Sequence, residues 1–501
     1  MKKEIAIIGG GLGGLVCGSI LAKEGYKVKI LEQHYKIGGG LHCFNQFGVS
    51  FETGIHYVSG FEKNGVLRKL FSYLGILHKL NLKEMDVNGF DVLHVAGDGE
   101  KYNFGIGKDN FIRILSQKFP DEAENIRRFT EAMYAMCNKI PLFNLKPLSS
   151  NLSYFSDDLL IPVDEYIASF TNNKKLQHIL SWTNTLYGGI KGVTPFYIHA
   201  LVTKFFIEGA SRFVEGSQQL ADAMTELILN HGGEVFTRTK ITKIDVSEKS
   251  IHKLISEDGR EFTADYYISD IHPSALMDMI NPQEIQRSYR ERLQSLDNSY
   301  SCFTTYVKLK PNTFPYLNHT YYYVRDYETL WNITDYELDS FPTGFMLTTP
   351  PVENQGEFAE KLSLNIIMNF DVFKKWENTQ IGKRGKEYEE LKLAYEEKLL
   401  AMVEEVFPDF RSCIDKAFSA SPLTIRDYLG TKNGSLYGYK KESNNIAKTH
   451  IMPRTKLNNL FLTGQNINLH GIIGVPLSSI VTAGEFVGVD DLIQRINSHN
   501  L

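Results

Sequence analysis

A run of glycines near the start of the chain has the spacing that lets a backbone bind a phosphate group. Gly9, Gly11 and Gly14 occupy the fixed positions of the pattern G-x-G-x-x-G, directly after an apolar segment. The first glycine permits a tight turn, the second lets backbone N–H groups approach a pyrophosphate, and the third lets a helix pack closely on a strand. The helix N-terminus that follows attracts an anion. These glycines predict a dinucleotide-binding site.

One carboxylate, Glu32, has the position that a ribose-binding residue needs. It lies 18 residues after Gly14, where the second strand of such a unit ends. A carboxylate there accepts hydrogen bonds from both ribose hydroxyls, which disfavours NADP. Taken alone, the glycines and Glu32 leave FAD and NAD equally open.

Two further glycine-containing segments favour FAD. Gly38 and Gly39 follow Glu32 almost immediately and bring a second stretch of backbone to the cofactor, which NAD dehydrogenases do not need. The segment 463–476 near the other end of the chain opens a helix that we expect from about Pro476. Its N-terminus would stabilise the negative charge that builds on a flavin during reduction. The candidate cofactor residues in this segment are Gly464, Asn466, Gly474 and Val475.

The elements that must position these residues predict an α/β fold. Strands are expected at 4–8, 27–31, 234–237, 241–245, 266–269 and 460–463, and a helix at 219–229. The helix after the first strand is expected to have one apolar face, and a long helix at 388–402 is expected to place Glu396 on its solvated side. Strands and glycines are concentrated at both ends and in one central block. We therefore expect a discontinuous cofactor domain, of residues 1–75, 205–280 and 445–501, and an inserted substrate domain, of residues 76–204 and 281–444.

Composition excludes several classes of protein. The chain has 501 residues, a formal net charge of −5 and 43% hydrophobic residues, which is typical of a folded protein rather than a disordered one. Without a basic face, nucleic-acid binding is not expected. Five scattered cysteines without C-x-x-C spacing predict neither disulfides nor a metal site, and they favour a cytoplasmic location. No signal peptide and no window of about 18 apolar residues is found; peripheral attachment to a membrane stays open.

Several segments resemble one branch of a known family. They are ILEQH at 30–34, the glycines at 38–39 with His42, and FETGIHY at 51–57. These resemble the all-trans-retinol 13,14-reductase branch of the phytoene-desaturase-like FAD oxidoreductases. Further matches at 216–217, 232–235, 421–424, 434–438 and 462–465 extend the resemblance over most of the chain.

The resemblance implies a fold, a reaction and a substrate class. The fold is a Rossmann-like FAD-binding domain of the glutathione-reductase and amine-oxidase type, with an inserted mixed-sheet and helical substrate domain. The reaction is the saturation, desaturation or isomerisation of carbon–carbon double bonds in a hydrophobic polyene or isoprenoid. The backbone around Ile241 should face the adenine. Gly38, Gly39, His42, Gly54 and His56 should lie along the flavin.

Two positions depart from the patterns of the family. Asn466 stands where an acidic residue commonly follows T-G-Q, which alters a hydrogen bond to the ribityl chain or the phosphate. Gly40 stands where the amine-oxidase-like relatives have an arginine and the reductase branch has a cysteine.

Reduction of a double bond needs a hydride, a proton and a site without water. His56 and Tyr57, next to the cofactor segments, are the candidates for the proton donor or for orienting groups. For each of them a packed residue that bonds to FAD is the more common explanation. Aromatic residues at 196–213 and 321–323 are candidates to line a lipophilic channel.

Two alternatives remain at this point. A flavin amine oxidase is the enzymatic one, and a prenyl- or lipid-binding carrier on the same scaffold, like the GDP-dissociation inhibitors, is the other. No second G-x-G-x-x-G follows a strand. Electrons therefore come from a diffusing NADH or NADPH, from another donor or from the substrate itself. The oligomeric state is left open.

Overall fold

A computed structural model of the chain describes residues 3–148, 157–331, 334, 338–467 and 469–499. The strands of these residues are, in chain order, β1 Glu4–Ile8, β2 Lys27–Leu31, β3 Cys43–Gln46, β4 Val49–Glu52, β5 Leu82–Glu84, β6 Asp91–Val95, β7 Glu100–Phe104, β8 Ser211–Phe213, β9 Glu234–Phe236, β10 Ile241–Ser247, β11 Ser250–Ser256, β12 Glu261–Phe262, β13 Tyr266–Ser269, β14 Ser301–Leu309, β15 Thr320–Val324, β16 Gly344–Thr348, β17 Lys361–Met368, β18 Ile414–Ala420 and β19 Leu460–Leu462. The α-helices are α1 Leu12–Lys23, α2 Val66–Leu74, α3 Lys108–Lys118, α4 Ala123–Asn138, α5 Val163–Ala168, α6 Lys174–Ile179, α7 Phe196–Glu208, α8 Gln218–Asn230, α9 Pro273–Asp278, α10 Arg287–Ser295, α11 Lys386–Glu404, α12 Phe410–Cys413, α13 Pro422–Leu429, α14 Ile446–Thr449, α15 Gly471–Val487 and α16 Val489–Ser498.

A parallel sheet carries the glycine-rich turn. Its strand order is β19-β13-β1-β2-β9, with Ile5 beside Tyr266 on one side and beside Val28 on the other. The central strand β1 is apolar and buried from Ile5 to Ile8, because helices cover both faces of such a sheet. From β1 the chain continues to β2 and β9 on one side, whereas β13 and β19 lie on the other. The crevice between β1 and β13 is therefore the topological switch point, where ligands of such sheets bind.

Helix α1 follows the turn and is buried on every side. Leu15 and Ile20 face the sheet region, but residues 13–22 are all buried, because α8 and α15 also pack on this helix. The sequence had predicted one apolar face only. Gly14 is needed for this packing: a Cβ at that position would lie 2.2 Å from the carbonyl oxygen of Gly9.

A seven-stranded mixed sheet forms the second large layer. Its order is β18-β14-β17-β16-β15-β6-β7, antiparallel except for the parallel pair β15 and β6. The mixed α/β class predicted from the sequence is confirmed. Helix α7, Phe196–Glu208, continues through the expected domain boundary between residues 204 and 205, and the division into two domains stays a prediction.

Two local predictions are wrong. Helix α15 begins at Gly471 rather than at about Pro476, so the proline lies inside the helix. A proline there leaves the carbonyl four residues earlier without its usual partner, but burial of Ile472, Ile473 and Val475 stabilises the extra turn. Glu396 of α11 was expected on the solvated face; it is buried, and the hydroxyl of Ser419 donates a hydrogen bond to it.

Candidate functional site

A cavity of about 690 Å³ is lined by residues of both large sheets. At one end lie the turn after β1, the segment around Gly39 and the start of α15. At the other end lie aromatic residues of α7 and β15, together with the faces of β14, β16 and β17. The volume is in the range of small-molecule and cofactor sites.

The two glycine segments are in direct contact. The backbone N–H of Gly38 donates a 2.8 Å hydrogen bond to the carbonyl of Gly10. A Cβ on Gly39 would lie 3.1 Å from the Cα of Gly11, and Gly38 and Gly39 both have positive φ. The result is a wall of bare backbone, which a side chain at Gly39 would fill.

Glu32 is held in place by the backbone on both sides. Its Oε2 accepts the N–H of Gly10 at 2.7 Å, and its Oε1 accepts the N–H of His34 at 2.7 Å. Each carboxylate oxygen keeps a lone pair for a ligand hydroxyl. The N–H of Thr239 donates to the carbonyl of Glu32 at 2.8 Å. This bond brings Ile241, at the start of β10, to the same part of the cavity.

The start of α15 opens into the cavity. Gly474 and Val475 line it, and His470 at the N-cap makes no side-chain capping hydrogen bond. The N–H groups of a first helical turn have no partner within the helix, so they are available to a ligand. Asn466 also lines the cavity, and its Oδ1 accepts the N–H of Tyr439 at 3.3 Å.

The structure brings most of the predicted site residues to this one cavity. Those that line it are Gly9, Gly11, Glu32, Gly39, His42, Gly54, His56, Tyr57, Ile241, Asn466, Gly474 and Val475. Gly14, Gly38 and Gly464 lie directly behind the lining and permit close packing there.

Sequence reasoning missed Asp270. It follows β13, and its own N–H donates to the carbonyl of Ile8 at 2.9 Å. A Cβ on Gly11 would lie 2.8 Å from its Oδ2, and a Cβ on Gly464 would lie 2.2 Å from its Oδ1. Burial raises the pKa of Asp270 to about 7, although the N–H groups of Gly14 and Gly11 lower it. The signal in the sequence was a carboxylate directly after a strand, but only the pairing of β13 with β1 places it at the glycine turn.

Both candidate histidines are neutral. His42 bonds through its Nε2 to the carbonyl of Lys36 at 2.7 Å, and burial lowers its pKa to about 4. Burial, together with the charge of Arg212, lowers the pKa of His56 to about 4 as well, and its Nδ1 has no hydrogen-bond partner. A neutral His56 can orient a ligand through a hydrogen bond, but it carries no extra proton to give.

Tyr57 belongs to a buried polar cluster. Its hydroxyl lies 2.8 Å from the hydroxyl of Tyr322 and 3.2 Å from Oδ2 of Asp91. The indole N–H of Trp182 donates to the same Oδ2 at 3.1 Å. Asp91 itself is fully buried, whereas Tyr57, Tyr322 and Trp182 all line the cavity. No sequence pattern groups these four residues, which come from separate parts of the chain.

The aromatic end is apolar. Phe205, Phe206, Tyr322 and Tyr323 line it, as the aromatic stretches predicted, but the other members of those stretches pack elsewhere. These are Phe196, Tyr197, Phe213 and Tyr321. Among the described lining residues the only carboxylates are Glu32 and Asp270, and both belong to the glycine end.

Membrane spans and metal sites were sought in the described part of the chain. No single helix there is long and apolar enough to cross a bilayer; the pair α15 and α16, bent by 117°, passes the length and composition test together. The same residues contain no group of three or more His, Cys, Asp or Glu side chains placed to hold a metal ion.

Comparison with known proteins gives a family, relatives and a fold. The sequence model of the family "Flavin containing amine oxidoreductase" matches residues 12–475. All-trans-retinol 13,14-reductase of Rattus norvegicus is 25% identical over 519 residues, covering 94% of this chain and 84% of the relative. Prolycopene isomerase 2 of an Oncidium hybrid cultivar is 23% identical over 503 residues, covering 96% and 83%. A putrescine oxidase structure with bound putrescine superposes with a TM-score of 0.63 at 14% identity, over 99% of both chains. The resemblance inferred from the motifs is thereby confirmed.

Proposed function

Because the chain belongs to the flavin containing amine oxidoreductase family, we propose that it is an FAD enzyme that saturates, desaturates or isomerises carbon–carbon double bonds of a hydrophobic polyene or isoprenoid. One observation carries this proposal. A single cavity joins a wall of bare glycine backbone to an apolar aromatic end, so a nucleotide cofactor and a lipophilic substrate would meet in it.

The glycine end fits FAD. Bare backbone at Gly11 and Gly39 would hold the pyrophosphate and the flavin, since a Cβ at Gly39 would fill the space next to Gly11. Glu32, oriented by two backbone N–H groups, would accept the ribose hydroxyls. Val475 and the free N–H groups of α15 would face the electron-rich edge of the ring. When bound, FAD supplies hydride transfer.

The aromatic end fits a lipophilic substrate. Phe205, Phe206 and Leu201 of α7 exclude water from the reacting carbons, which protects both the hydride and any charged intermediate. The neutral His56 would orient the substrate or the cofactor, and Tyr57 would offer a hydroxyl. Relatives named for a retinol reductase and a prolycopene isomerase support an unsaturated isoprenoid as the substrate class.

An amine oxidase is the second candidate, because the putrescine oxidase shares the fold. A cationic amine in an apolar cavity needs a carboxylate or an aromatic cage as its partner. The described lining of the aromatic end offers aromatic rings but no carboxylate to balance the charge of an amine. The relatives named for a retinol reductase and a prolycopene isomerase favour the polyene. A lipid carrier, the non-enzymatic alternative, would not need the glycine wall or Glu32, because it binds no nucleotide cofactor.

Electron supply and membrane contact are further parts of the proposal. We infer that NADH or NADPH reduces the flavin from solution, and that the protein takes its substrate from a membrane surface. Anaerobic bleaching of the bound flavin by each nicotinamide tests the first inference. Co-sedimentation with phosphatidylcholine vesicles, with and without added retinol, tests the second.

The central experiment measures flavin retention and turnover together. Purified protein should carry FAD, and Gly11→Val or Glu32→Ala should lower the retained fraction at least tenfold. Gly11→Val fills space that the pyrophosphate would need, and Glu32→Ala removes hydrogen bonds to the ribose, each at a cost of about 1.4 kcal/mol or more. Gly356→Val is the matched control, since that exposed glycine has no atom near its Cβ position. Reduced protein is then mixed with a panel of polyenes and amines.

Two results would contradict the proposal. Unchanged FAD content in both cavity variants would refute the placement of the cofactor. Reoxidation of the reduced flavin by none of the polyenes, with amine-dependent reduction of the oxidised form instead, would favour the amine oxidase.

A further inference from the structure

Three groups form a hydrogen-bonded chain that ends at the cavity. Asp91 lies at its buried end, the hydroxyl of Tyr57 is in the middle, and the hydroxyl of Tyr322 is at the other end. The hydroxyl of Tyr322 has no other hydrogen bond among the described residues than the one with Tyr57. The ring of Tyr322 lines the cavity, so its hydroxyl is the end of this chain that is nearest to a bound substrate.

The direction of this chain depends on one proton. When Asp91 is ionised it only accepts; Tyr57 then donates to Asp91 and Tyr322 donates to Tyr57, so no proton is free for the cavity. When Asp91 is protonated it can donate to Tyr57, and Tyr57 can donate to Tyr322. The hydroxyl proton of Tyr322 is then free to point at a ligand.

The surroundings make both states accessible. Burial raises the pKa of Asp91 to about 7, against the hydrogen bonds from Trp182 and Tyr57 and the charge of Arg212, which lower it. Arg212 of β8, in a separate two-stranded sheet, is a charged group near the cluster, and Glu52 of β4 interacts with Arg212. Tyr437 also interacts with Tyr322. His56 is neutral and adds no charge. Burial raises the pKa values of Tyr57 and Tyr322 well above the ordinary tyrosine value.

We propose that Tyr322 is the catalytic residue that gives a proton to a substrate carbon, and that Tyr57 and Asp91 are positioning residues that hold this proton and replace it. The proposal rests on the function proposed above and deepens it. It differs from the sequence-based expectation, in which His56 or Tyr57 was the donor.

The atoms and electrons balance as follows. The π bond of the substrate breaks, and one of its carbons forms a C–H bond with the hydride from the reduced flavin. The other carbon forms a C–H bond with the proton of Tyr322, whose O–H bond breaks. Tyr322 regains a proton from Tyr57, Tyr57 from Asp91, and Asp91 from solvent. The substrate gains two electrons and two hydrogens, and the flavin is oxidised by two electrons. Desaturation runs through the same residues in reverse.

The test uses flavin-loaded protein, reduced anaerobically and mixed with all-trans-retinol, and then with a panel of other polyenes. Reoxidation is followed by flavin absorbance between pH 6 and pH 9. Tyr322→Phe and Tyr57→Phe should slow it about 100-fold or more, the usual share of a general acid. In the wild type the rate should fall as pH rises through about 7, because Asp91 loses its proton. In Asp91→Asn the rate should be lower and no longer change with pH in this range.

Tyr321→Phe is the matched control on the same strand. The hydroxyl of Tyr321 lies on the opposite face of β15, where it bonds to Nδ1 of His94 at 2.8 Å, and it does not line the cavity. This variant should keep the rate and the pH profile of the wild type. Flavin content and thermal unfolding of every variant show whether it is folded; Tyr322→Phe removes one oxygen atom only. In D₂O the wild-type product should carry deuterium on the carbon that Tyr322 protonates.

The outcomes separate the two proposals. A wild type that reoxidises with a polyene, while Tyr322→Phe reoxidises at the same rate and with the same pH profile, overturns the role of Tyr322. If Tyr322→Phe loses the rate but Asp91→Asn keeps the pH profile of the wild type, the role of Asp91 is overturned. A folded, flavin-loaded wild type that reoxidises with no polyene overturns the proposed function and this assignment with it.

Discussion

The two ends of the cavity are built from different parts of the polypeptide. At the glycine end the wall is backbone: Gly11 and Gly39 contribute no side chain, and backbone N–H groups fix Glu32. At the aromatic end the wall is side chain, with Phe206 of α7 and Tyr322 of β15 as examples. A backbone wall fits a nucleotide phosphate whatever the substrate is, whereas a side-chain wall can change with the substrate. We conclude that the first end defines the family and the second defines the reaction.

Each end also contains one buried carboxyl whose pKa is raised to about 7 by burial. Their partners differ. Asp270 accepts backbone N–H groups at the start of α1, where a cofactor phosphate would also seek donors. Asp91 accepts from Tyr57 and Trp182, so it lies behind the substrate rather than beside the cofactor. Ionisation of a carboxyl near pH 7 would therefore change cofactor affinity at the glycine end and proton transfer at the aromatic end.

The largest effect is expected from a new side chain at Gly14, directly behind the backbone wall. Gly14→Ala places a Cβ 2.2 Å from a backbone carbonyl oxygen, which cannot move without shifting the turn. We expect the free energy of unfolding to fall by about 3 kcal/mol, as for a severe overpacking. Thermal and urea unfolding measure it. Gly40→Ala is the matched control, because a Cβ there meets no protein atom within 4 Å; equal losses in the two variants would contradict the packing role of Gly14.

A smaller effect is expected from the carboxyl at the glycine end. Because Asp270 ionises at about pH 7, its negative charge should weaken FAD binding as pH rises, and Asp270→Asn should bind FAD about tenfold more tightly at pH 8. Its pKa is higher in the folded state than in the unfolded one, so its contribution to stability is present below about pH 4 and is lost as pH rises to 7. The variant should not show this loss.

Fluorescence titration with FAD at pH 6 and pH 8 checks the first expectation, and unfolding of the FAD-free protein between pH 4 and pH 8 checks the second. Asp245→Asn, which changes a carboxyl that does not line the cavity, is the control. Wild-type FAD affinity that does not change between the two pH values would contradict the proximity of Asp270 to the phosphates.

The smallest effect is expected from the apolar side-chain wall. Phe206→Leu shortens a residue whose ring centroid lies 4.6 Å from that of Tyr57. We expect KM for a polyene to rise about fivefold, the equivalent of about 1 kcal/mol, with unchanged FAD content. Phe196→Leu, in the same helix but away from the cavity, should lower stability and leave KM unchanged. A larger change in FAD content than in KM for Phe206→Leu would contradict the separation of the two ends.

The sequence predicted the elements whose patterns are local. The expected bounds of β1, β2 and β13 agree with the structure, because each is a short run rich in β-branched, aromatic or other apolar residues next to a glycine turn or a charged end. The start of α15 was missed, since glycines and a proline disfavour a helix by propensity and only tertiary burial stabilises this one. Glu396 was missed for a similar reason: its burial depends on Ser419 of β18, which the helix pattern does not contain.

The candidate site divides in the same way. Spacing was enough to group Gly9, Gly11 and Glu32, because one turn, one helix and one strand bring them together. Spacing could not group Asp91 with Tyr57 and Tyr322. Tyr57 is 34 residues from Asp91 and 265 residues from Tyr322 along the chain. Nor could spacing place Asp270 beside the glycine turn. These contacts depend on which strands pair, and the sequence of one strand does not specify the strand beside it.

By itself, the sequence determined the chemistry of the glycine end, since short-range backbone geometry leaves few residue types able to make such a turn. Only the tertiary structure decided which side chains meet at the aromatic end and which carboxyl lies behind them. The physical reason is that burial and charge depend on everything within a few ångströms, and most of those neighbours come from distant parts of the chain.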